Sequence, residues 1–359
     1  MNSKRIMKRV LDGQRLSEVE FIKLYSEGDI LDIARTANEL RDRRYPANTI
    51  TYVIDRNINY TNICSCGCRF CAFYRRADDQ DAYVLDQNTL LAKIDEAVQL
   101  GATQLMIQGG LNEALKIDFY ENMFRLIKSR YHITIHSLTA PEIAFIAKNS
   151  DLSIKETLQR LQLAGLDSLP GGGAEVLHDE VRSRISPNKI SSQQWLEVMQ
   201  SAHEIGMPTT ATMMMGSVDT IYHRLDHLQK IRALQDKTGG FRAFISWTFQ
   251  PGNTELQGKK ISTLQYLRFL ALSRIYLDNF EHIQGSWVTQ GKRIGQMTIF
   301  FGADDLGSVM IEENVVRAAG VNHRMLEEEI IRLISQTGKI PAQRNTKYSI
   351  LKLHENQAD

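Results

Sequence analysis

I-T-Y-V-I-D-R-N-I-N-Y-T-N-I-C-S-C-G-C-R-F-C, residues 50–71, runs from a β-branched apolar segment straight into four closely spaced cysteines. The opening I-T-Y-V-I-D reads as a strand. On the loop that follows, Cys64, Cys68 and Cys71 stand in the spacing Cys-x3-Cys-x2-Cys. Cluster iron is held by Cys thiolates, four of them in a closed electron-transfer cluster. Three thiolates leave one iron of a four-iron cluster free, and an open metal position is what reaction at a metal requires. A loop leaving the C-terminal end of a strand is also where barrel enzymes carry their chemistry.

Working outward, short apolar or β-branched runs alternate with helical patterns, the signature of repeated βα units and a parallel sheet. Eight strand candidates can be counted. They begin at Ile50, Thr103, His132, Leu166, Thr209, Arg242 and His282, and the eighth is M-T-I-F-F from Met297. Helices are expected from Asn88 to Leu100, closed by Gly101, and from Ser191 to just before Gly206. A third, from Thr263 to Leu277, places Leu264, Leu267, Leu270, Ile275 and Leu277 near one apolar face. Two amphipathic helices, about Ser17 to Tyr25 and Asp29 to Arg43, precede the first strand, and one more helix with a polar end follows Val321. The expectation is an α/β chain with a single (β/α)8 TIM-like barrel over 46–320. An N-terminal helical cap over 1–45 and a C-terminal helical extension and tail over 321–359 flank it.

Lys+Arg of 43 against Asp+Glu of 42 leaves no global field for nucleic acid or anionic lipid, so neither partner is expected. The basic N-terminus lacks the apolar run of a signal peptide, and no window suits a spanning helix, which points to the cytoplasm. All four cysteines lie between 64 and 71, so a distributed disulfide framework is excluded and a metal or redox role favoured. Cys66 sits inside the same loop, and three readings compete: a bystander, a fourth ligand closing an electron-transfer cluster, or one member of a four-thiolate zinc knuckle. Zinc loops usually bring two separated pairs together, whereas eight residues would here wrap one ion, which favours the bystander.

With Phe70 just before the last cysteine, this loop resembles the signature of the radical S-adenosylmethionine (SAM) superfamily. The resemblance implies a [4Fe-4S] cluster on Cys64, Cys68 and Cys71, with SAM on the open iron cleaved to a 5'-deoxyadenosyl radical. It places Phe70 and the turn glycines Gly109 and Gly110 of I-Q-G-G-L at the cofactor, although the acidic residue common after that pair is absent. H-S-L-T-A-P-E brings His136, Ser137 and Thr139 as further candidates, with departures from the related pattern. In L-D-S-L-P-G-G-G-A-E, Glu175 matches a residue that accepts from the SAM ribose hydroxyls. Arg184 of V-R-S-R-I-S-P matches an arginine facing the methionine carboxylate.

The downstream blocks R-I-S-P-N-K-I, T-T-A-T-M-M-M-G, W-T-F-Q-P-G-N-T, G-S-W-V-T-Q-G and G-A-D-D-L-G-S resemble the cyclic dehypoxanthine futalosine synthase family of the futalosine route to menaquinone. That resemblance implies dehypoxanthine futalosine as substrate, C4' hydrogen abstraction followed by ring closure, and a flavodoxin- or ferredoxin-type electron donor. Substrate contacts fall to Gln250, Asn253, Thr254, Ser286 and Gln290, and the final proton to Asp304, Asp305 or Glu312. Trp247 and Trp287 are candidate pocket walls, and Met213, Met214, Met215 and Met297 read as core. Aminofutalosine synthase and the deazaflavin synthase subunits share the cysteine motif and stand as alternatives. From another class, an iron-sulfur electron carrier or zinc-binding module remains, though neither needs a ligand-enclosing fold of this length.

Overall fold

The computed structural model describes residues 2–45, 47–258 and 260–354. Thr49–Val53 (β1) continues after one unpaired residue into Asp55–Asn59 (β2), so the first strand serves two sheets. Gln104–Gln108 (β3), Thr134–Ser137 (β4), Thr209–Met215 (β5), Phe241–Thr248 (β6), His282–Gln284 (β7) and Asp305–Ser308 (β8) follow. Parallel pairing runs β2–β3–β4, crosses through the bridges His136–Ser168 and Leu169–Thr209, and continues β5–β6–β7–β8. It closes where Thr51 of β1 pairs with Asp305 of β8. The result is a closed, all-parallel eight-position barrel. Its fourth position, L-D-S-L-P, amounts to two bridge residues because Pro170 brings no N–H to extend a ladder.

The eighth strand is displaced from its expected place. M-T-I-F-F does not pair; it lies in the helix Lys292–Thr298 and the single tight turn Ile299–Phe301. Met297 is 41% exposed rather than core. The true strand, Asp305–Ser308, is polar in sequence yet wholly buried, because its charges are paired inside the protein. Asp304, just before it, meets Arg274 and, at 2.6 Å, His282 Nδ1; Asp305 is held in the ion pair described below.

Helix boundaries follow local capping chemistry. Ser191 caps Ser192–Glu204 with Gln194 reaching back, Ser262 does the same for Thr263–Tyr276 with Gln265, and Gly101 and Gly206 take left-handed φ of 81° and 76°. Thr263–Tyr276 differs from a one-faced stripe: Leu264 is 64% exposed, whereas Tyr266, Leu267 and every residue from Phe269 to Tyr276 are buried. The cause is the N-terminal cap, which covers the helix's outer side. That cap has three helices, Ser3–Leu11, Glu18–Glu27 and Ile30–Arg44, the first of which sequence periodicity did not suggest. Phe21 packs edge-on to Phe269 and Tyr276, and buried Arg41 donates to the carbonyls of Ile299 and Ala303.

The polar end expected of the extension lies partly outside the described residues, at 355–359, and two strands precede it. After the helix Glu327–Ser335, Ile340–Arg344 (β9) pairs parallel with β1 and Ile350–Leu353 (β10) folds back antiparallel on β9. The turn between them enters the N-terminal end of the barrel and floors it. Arg344 grips Asp305 with Nε–Oδ2 at 2.6 Å and Nη2–Oδ1 at 3.1 Å, Thr346 Oγ1 donates to Gln104 at 2.7 Å, and Tyr348 stacks on His282 at 3.5 Å.

Burial alone would raise the Asp304 carboxyl, but Arg274 and His282 hold it below its ordinary 3.8. A carboxyl depressed in the folded state stabilises above its unfolded pKa and loses that contribution as pH falls through the folded one. Denaturant melts of the wild type are expected to weaken between about pH 5 and pH 3, and Asp304→Asn to show a shallower acid limb.

Candidate active site

From the end of β2 the chain turns through Tyr60–Ile63 into the cysteine loop, which is pinned by its own backbone. Cys64 N donates to Arg75 O, Ser65 N to Leu111 O, Arg69 N to Ile185 O and Cys71 N to Cys68 O, while Asn188 Nδ2 holds the Cys66 carbonyl at 3.1 Å. Cys64, Cys66, Cys68 and Cys71 line one cavity of about 180 Å³, together with Phe70, Gly109, Gly110, Glu142, Gly173 and Lys189. Leu111 N donates to Cys64 Sγ at 3.3 Å, and Cys66 Sγ lies 3.4 Å from Cys68 Sγ.

Charge in this cavity is organised by Lys189. Its ammonium sits 5.0 Å over the Phe70 ring and 3.3 Å from Glu175 Oε1. Burial disfavours its charge, but Cys68 and Glu175 outweigh that and push its pKa up. The hydrogen bond shared with Cys66, aided by Lys189 and opposed by burial, lowers the Cys68 thiol to about 7. Burial raises the thiols of Cys64 and Cys71, and the bond to Cys68 and burial raise that of Cys66.

Gly109 and Gly110 are required by packing. A Cβ on Gly109 would lie 2.5 Å from the Tyr60 ring, and one on Gly110 2.1 Å from Ile63 O and 2.8 Å from Cys64 Cβ. Gly110→Ala is therefore expected to displace the cysteine loop and lower iron content and SAM affinity by roughly tenfold or more, a strain of about 1–3 kcal/mol. Iron analysis and equilibrium SAM binding check it. Gly109 N is already taken by Glu142 Oε1 at 2.9 Å, and Glu142 also caps the next helix through Thr139.

Other sequence candidates divide. Glu175 is buried at a left-handed φ of 41° just behind the cavity lining; its Oε2 has no hydrogen bond and faces the Arg182 guanidinium at 3.8 Å. Arg184 is exposed and contributes only its carbonyl, which accepts from Arg69. Two residues earlier, Arg182 is buried and donates to the carbonyls of Gly173, Ala174 and Ile190, holding the glycine-rich loop in place. Ser137 donates to Ile107 O within β3–β4 packing and lines neither cavity, whereas His136 faces the barrel interior.

That interior is a second cavity of about 280 Å³, which meets the cysteine cavity at Gln108 and Val315. Ser286, Thr289 and Trp247 line it; Trp287 is buried and donates to Ser308 O instead. Gln250 and Gln290 both donate to Thr248 Oγ1 beside it, and Gln250 Oε1 is left unpartnered. Asn253 and Thr254 point elsewhere: Asn253 Nδ2 donates to Ala318 O and Thr254 Oγ1 to Pro251 O. Asp304 and Asp305 are locked in ion pairs with Arg274 and Arg344, and Glu312 in pairs with Arg56 and Lys93. Its neighbour Glu313 does face the barrel cavity, with burial pushing its carboxyl up against the three backbone N–H groups it accepts. Lys189, Arg182, Glu313 and Arg242 are the residues that sequence reading missed. Lys189 stood within R-I-S-P-N-K-I, Arg182 within V-R-S-R-I-S-P and Glu313 beside Glu312 in M-I-E-E-N-V-V, while Arg242 carried no local signal.

Residues 58–231 match the family model described as "Radical SAM superfamily", and residues 238–357 match "CofH/MqnC C-terminal region". The cyclic dehypoxanthine futalosine synthase of Streptomyces coelicolor is 45% identical over 99% of this chain and 90% of its own length. The chain belongs to the radical SAM superfamily. A second cyclic dehypoxanthine futalosine synthase, from Halalkalibacterium halodurans, is 44% identical over 98% of this chain and 96% of its own. The aminodeoxyfutalosine synthase of Thermus thermophilus is 38% identical over 96% and 94%. The fold is that of the crystal structure of methylornithine synthase, at a TM-score of 0.74, 16% identity, and 94% and 97% coverage.

Enzymes of this superfamily use a [4Fe-4S] cluster and SAM, and the residues present fit both. Three of the thiols in one cavity match a cluster with one iron left open. Glu175, behind Lys189, has an Oε2 with no hydrogen bond that would accept from a ligand hydroxyl, and the glycine edge formed by Gly109, Gly110 and Gly173 keeps side chains out of the cysteine cavity. When bound, the pair supplies one-electron cleavage of a sulfonium bond and, through it, hydrogen-atom abstraction.

Proposed function

We propose that the chain is a radical SAM cyclase that converts dehypoxanthine futalosine to its cyclic form, a step toward menaquinone. The observation that carries the reading is the near-full-length similarity to two enzymes of that name, higher than to the aminodeoxyfutalosine synthase. In this reading Cys64, Cys68 and Cys71 hold the cluster, Glu175 and the glycine edge hold SAM, and the barrel cavity holds the substrate. In the same reading the reacting sugar carbon lies where the two cavities share Gln108 and Val315, which supports a radical formed in one reaching a substrate held in the other. The barrel wall and the hairpin floor keep water from it, as reactive carbon requires.

Closing a carbon–carbon bond onto an aromatic ring and restoring aromaticity removes one hydrogen atom, one electron and one proton. Glu313 takes the proton in this reading: Asp304, Asp305 and Glu312 are each engaged in ion pairs, and Asp55, the other carboxylate lining the barrel cavity, already accepts from Ser308 and Gln104. The electron would pass to the oxidised cluster, the group that a small flavodoxin- or ferredoxin-type donor would otherwise reduce. Glu313→Gln is expected to lower kcat by about 10²-fold or more, and Glu312→Gln to act mainly on stability.

The test is anaerobic incubation of reconstituted protein with SAM, reductant and dehypoxanthine futalosine, with products weighed by mass spectrometry. Loss of two mass units with matching 5'-deoxyadenosine supports the reading. Untouched dehypoxanthine futalosine, with an enolpyruvyl benzoate consumed in a parallel tube, assigns the chain to the aminodeoxyfutalosine branch instead.

A further inference from the structure

Two guanidinium groups line the barrel cavity, Arg344 and Arg242, and they differ in one respect. Arg344 is neutralised by its two-point pair with Asp305. Arg242, the second residue of β6, has no carboxylate within ion-pair reach among the described residues, although Asp55 and Glu313 line the same cavity. Its Nη1 donates to the Thr346 carbonyl and its Nη2 approaches His136 Nδ1 at 3.5 Å, while Nε is buried with no partner. Burial and the charge of Arg344 bring its pKa down to about 10, so it stays charged at neutral pH. A buried cation without a counter-charge is costly, and such a group in a ligand cavity is satisfied by an anion on the ligand.

We propose that Arg242 binds a carboxylate at the floor of the barrel cavity, and that this contact fixes which end of the substrate faces the cysteine cavity. A guanidinium with a free Nε–H and a neighbouring Nη presents the two-donor edge that matches a carboxylate. His136 lies beside it on the floor, with its Nδ1 2.6 Å from Ser168 Oγ and 3.5 Å from Arg242 Nη2, and its ring also lines the cavity. Above this polar floor the wall turns apolar, with Met106, Ile245, Trp247, Val288 and Met310, which suits a flat aromatic body. The ligand class is therefore an aromatic carboxylate whose other end reaches the junction at Gln108 and Val315. Five residues along β6 from Arg242 to Trp247 span on the order of 16 Å, the length of a two-ring molecule. The proposal deepens the reading of the proposed function and rests on it, in that the benzoate end of dehypoxanthine futalosine sits at the floor and the sugar-derived ring at the mouth.

Benzoate and benzamide, which share shape and differ in charge, are the probes. Each is titrated by ligand-observed NMR into cluster-loaded protein saturated with SAM, so that the SAM carboxylate is already accounted for. Wild type is expected to prefer benzoate by roughly 10- to 100-fold, the range of a charged two-point hydrogen bond. Arg242→Gln is expected to erase the preference and Arg242→Lys to keep part of it, with iron content and SAM affinity unchanged in both. Equal binding of the two probes by wild type overturns the proposal without any variant. A preference that survives in Arg242→Gln overturns it too, and where that variant does not fold, the wild-type comparison and Arg242→Lys decide. Turnover of dehypoxanthine futalosine is measured separately. A benzoate preference lost in Arg242→Gln without such turnover sinks the functional reading and leaves the carboxylate site standing. Turnover with an unchanged KM in Arg242→Gln does the reverse.

Discussion

Cys64→Ser, Cys68→Ser and Cys71→Ser are each expected to lose the cluster and all SAM cleavage, whereas Cys66→Ser keeps about four irons per chain and its activity. Four thiols face one cavity, so the spacing of the motif alone does not separate three ligands from four. The sulfur positions favour three. In a [4Fe-4S] cluster each iron takes its own cysteine, so the ligand sulfurs stand on different corners. Sulfurs sharing one metal ion are close neighbours, about 3.8 Å apart for tetrahedral metal–sulfur bonds of about 2.3 Å. Cys66 Sγ is 3.4 Å from Cys68 Sγ, so the two address the same corner and only one can serve it. Cys68 is the one that keeps the Cys-x3-Cys-x2-Cys spacing with Cys64 and Cys71, and Cys66 is left as its buried hydrogen-bond neighbour. Iron and zinc analysis with electron paramagnetic resonance on oxygen-free protein checks this. One zinc per chain, or loss of iron in Cys66→Ser, refutes it.

The cysteine loop was legible because ligand spacing is a local property. Six of the eight barrel strands were equally so, being apolar runs whose burial needs no distant partner to explain it. The eighth shows the opposite case. Asp305–Ser308 carries a charge in the barrel wall, and only Arg344, 39 residues later, makes that tolerable. M-T-I-F-F carries strong strand propensity yet follows Gly291, whose φ of 87° starts a helix there, and Phe300 is left half-exposed. Propensity lost to tertiary context at both places. The same limit hid Arg242, since a lone arginine opening a strand differs from a surface one only by the absence of a partner. In V-R-S-R, helical phase buries Arg182 and exposes Arg184, a distinction that the order of residues does not carry by itself.

The hairpin floor leads to the second large effect: Arg344→Met is expected to destabilise the protein by about 3–5 kcal/mol. Asp305 is 0% exposed, and without Arg344 its charge keeps only neutral donors, Thr51 Oγ1 at 2.6 Å and Gly307 N at 2.7 Å. Removing one member of a buried pair strands the other, which costs more than the pair was worth. The double variant Arg344→Met with Asp305→Asn should therefore recover part of the loss, the two residues being in direct contact. Lys347→Ala, exposed on the same turn, should stay within about 0.5 kcal/mol of wild type. Denaturant melts of the four proteins measure it. Arg344 also stacks on Tyr348, at 3.9 Å from guanidinium carbon to ring centre, and both line the barrel cavity beside Arg242. Losing the pair should thus loosen the floor against which a substrate carboxylate is held, so that KM rises in Arg344→Met even at temperatures where the barrel stays folded. An unchanged melting curve in Arg344→Met would mean that the turn does not close the barrel in solution.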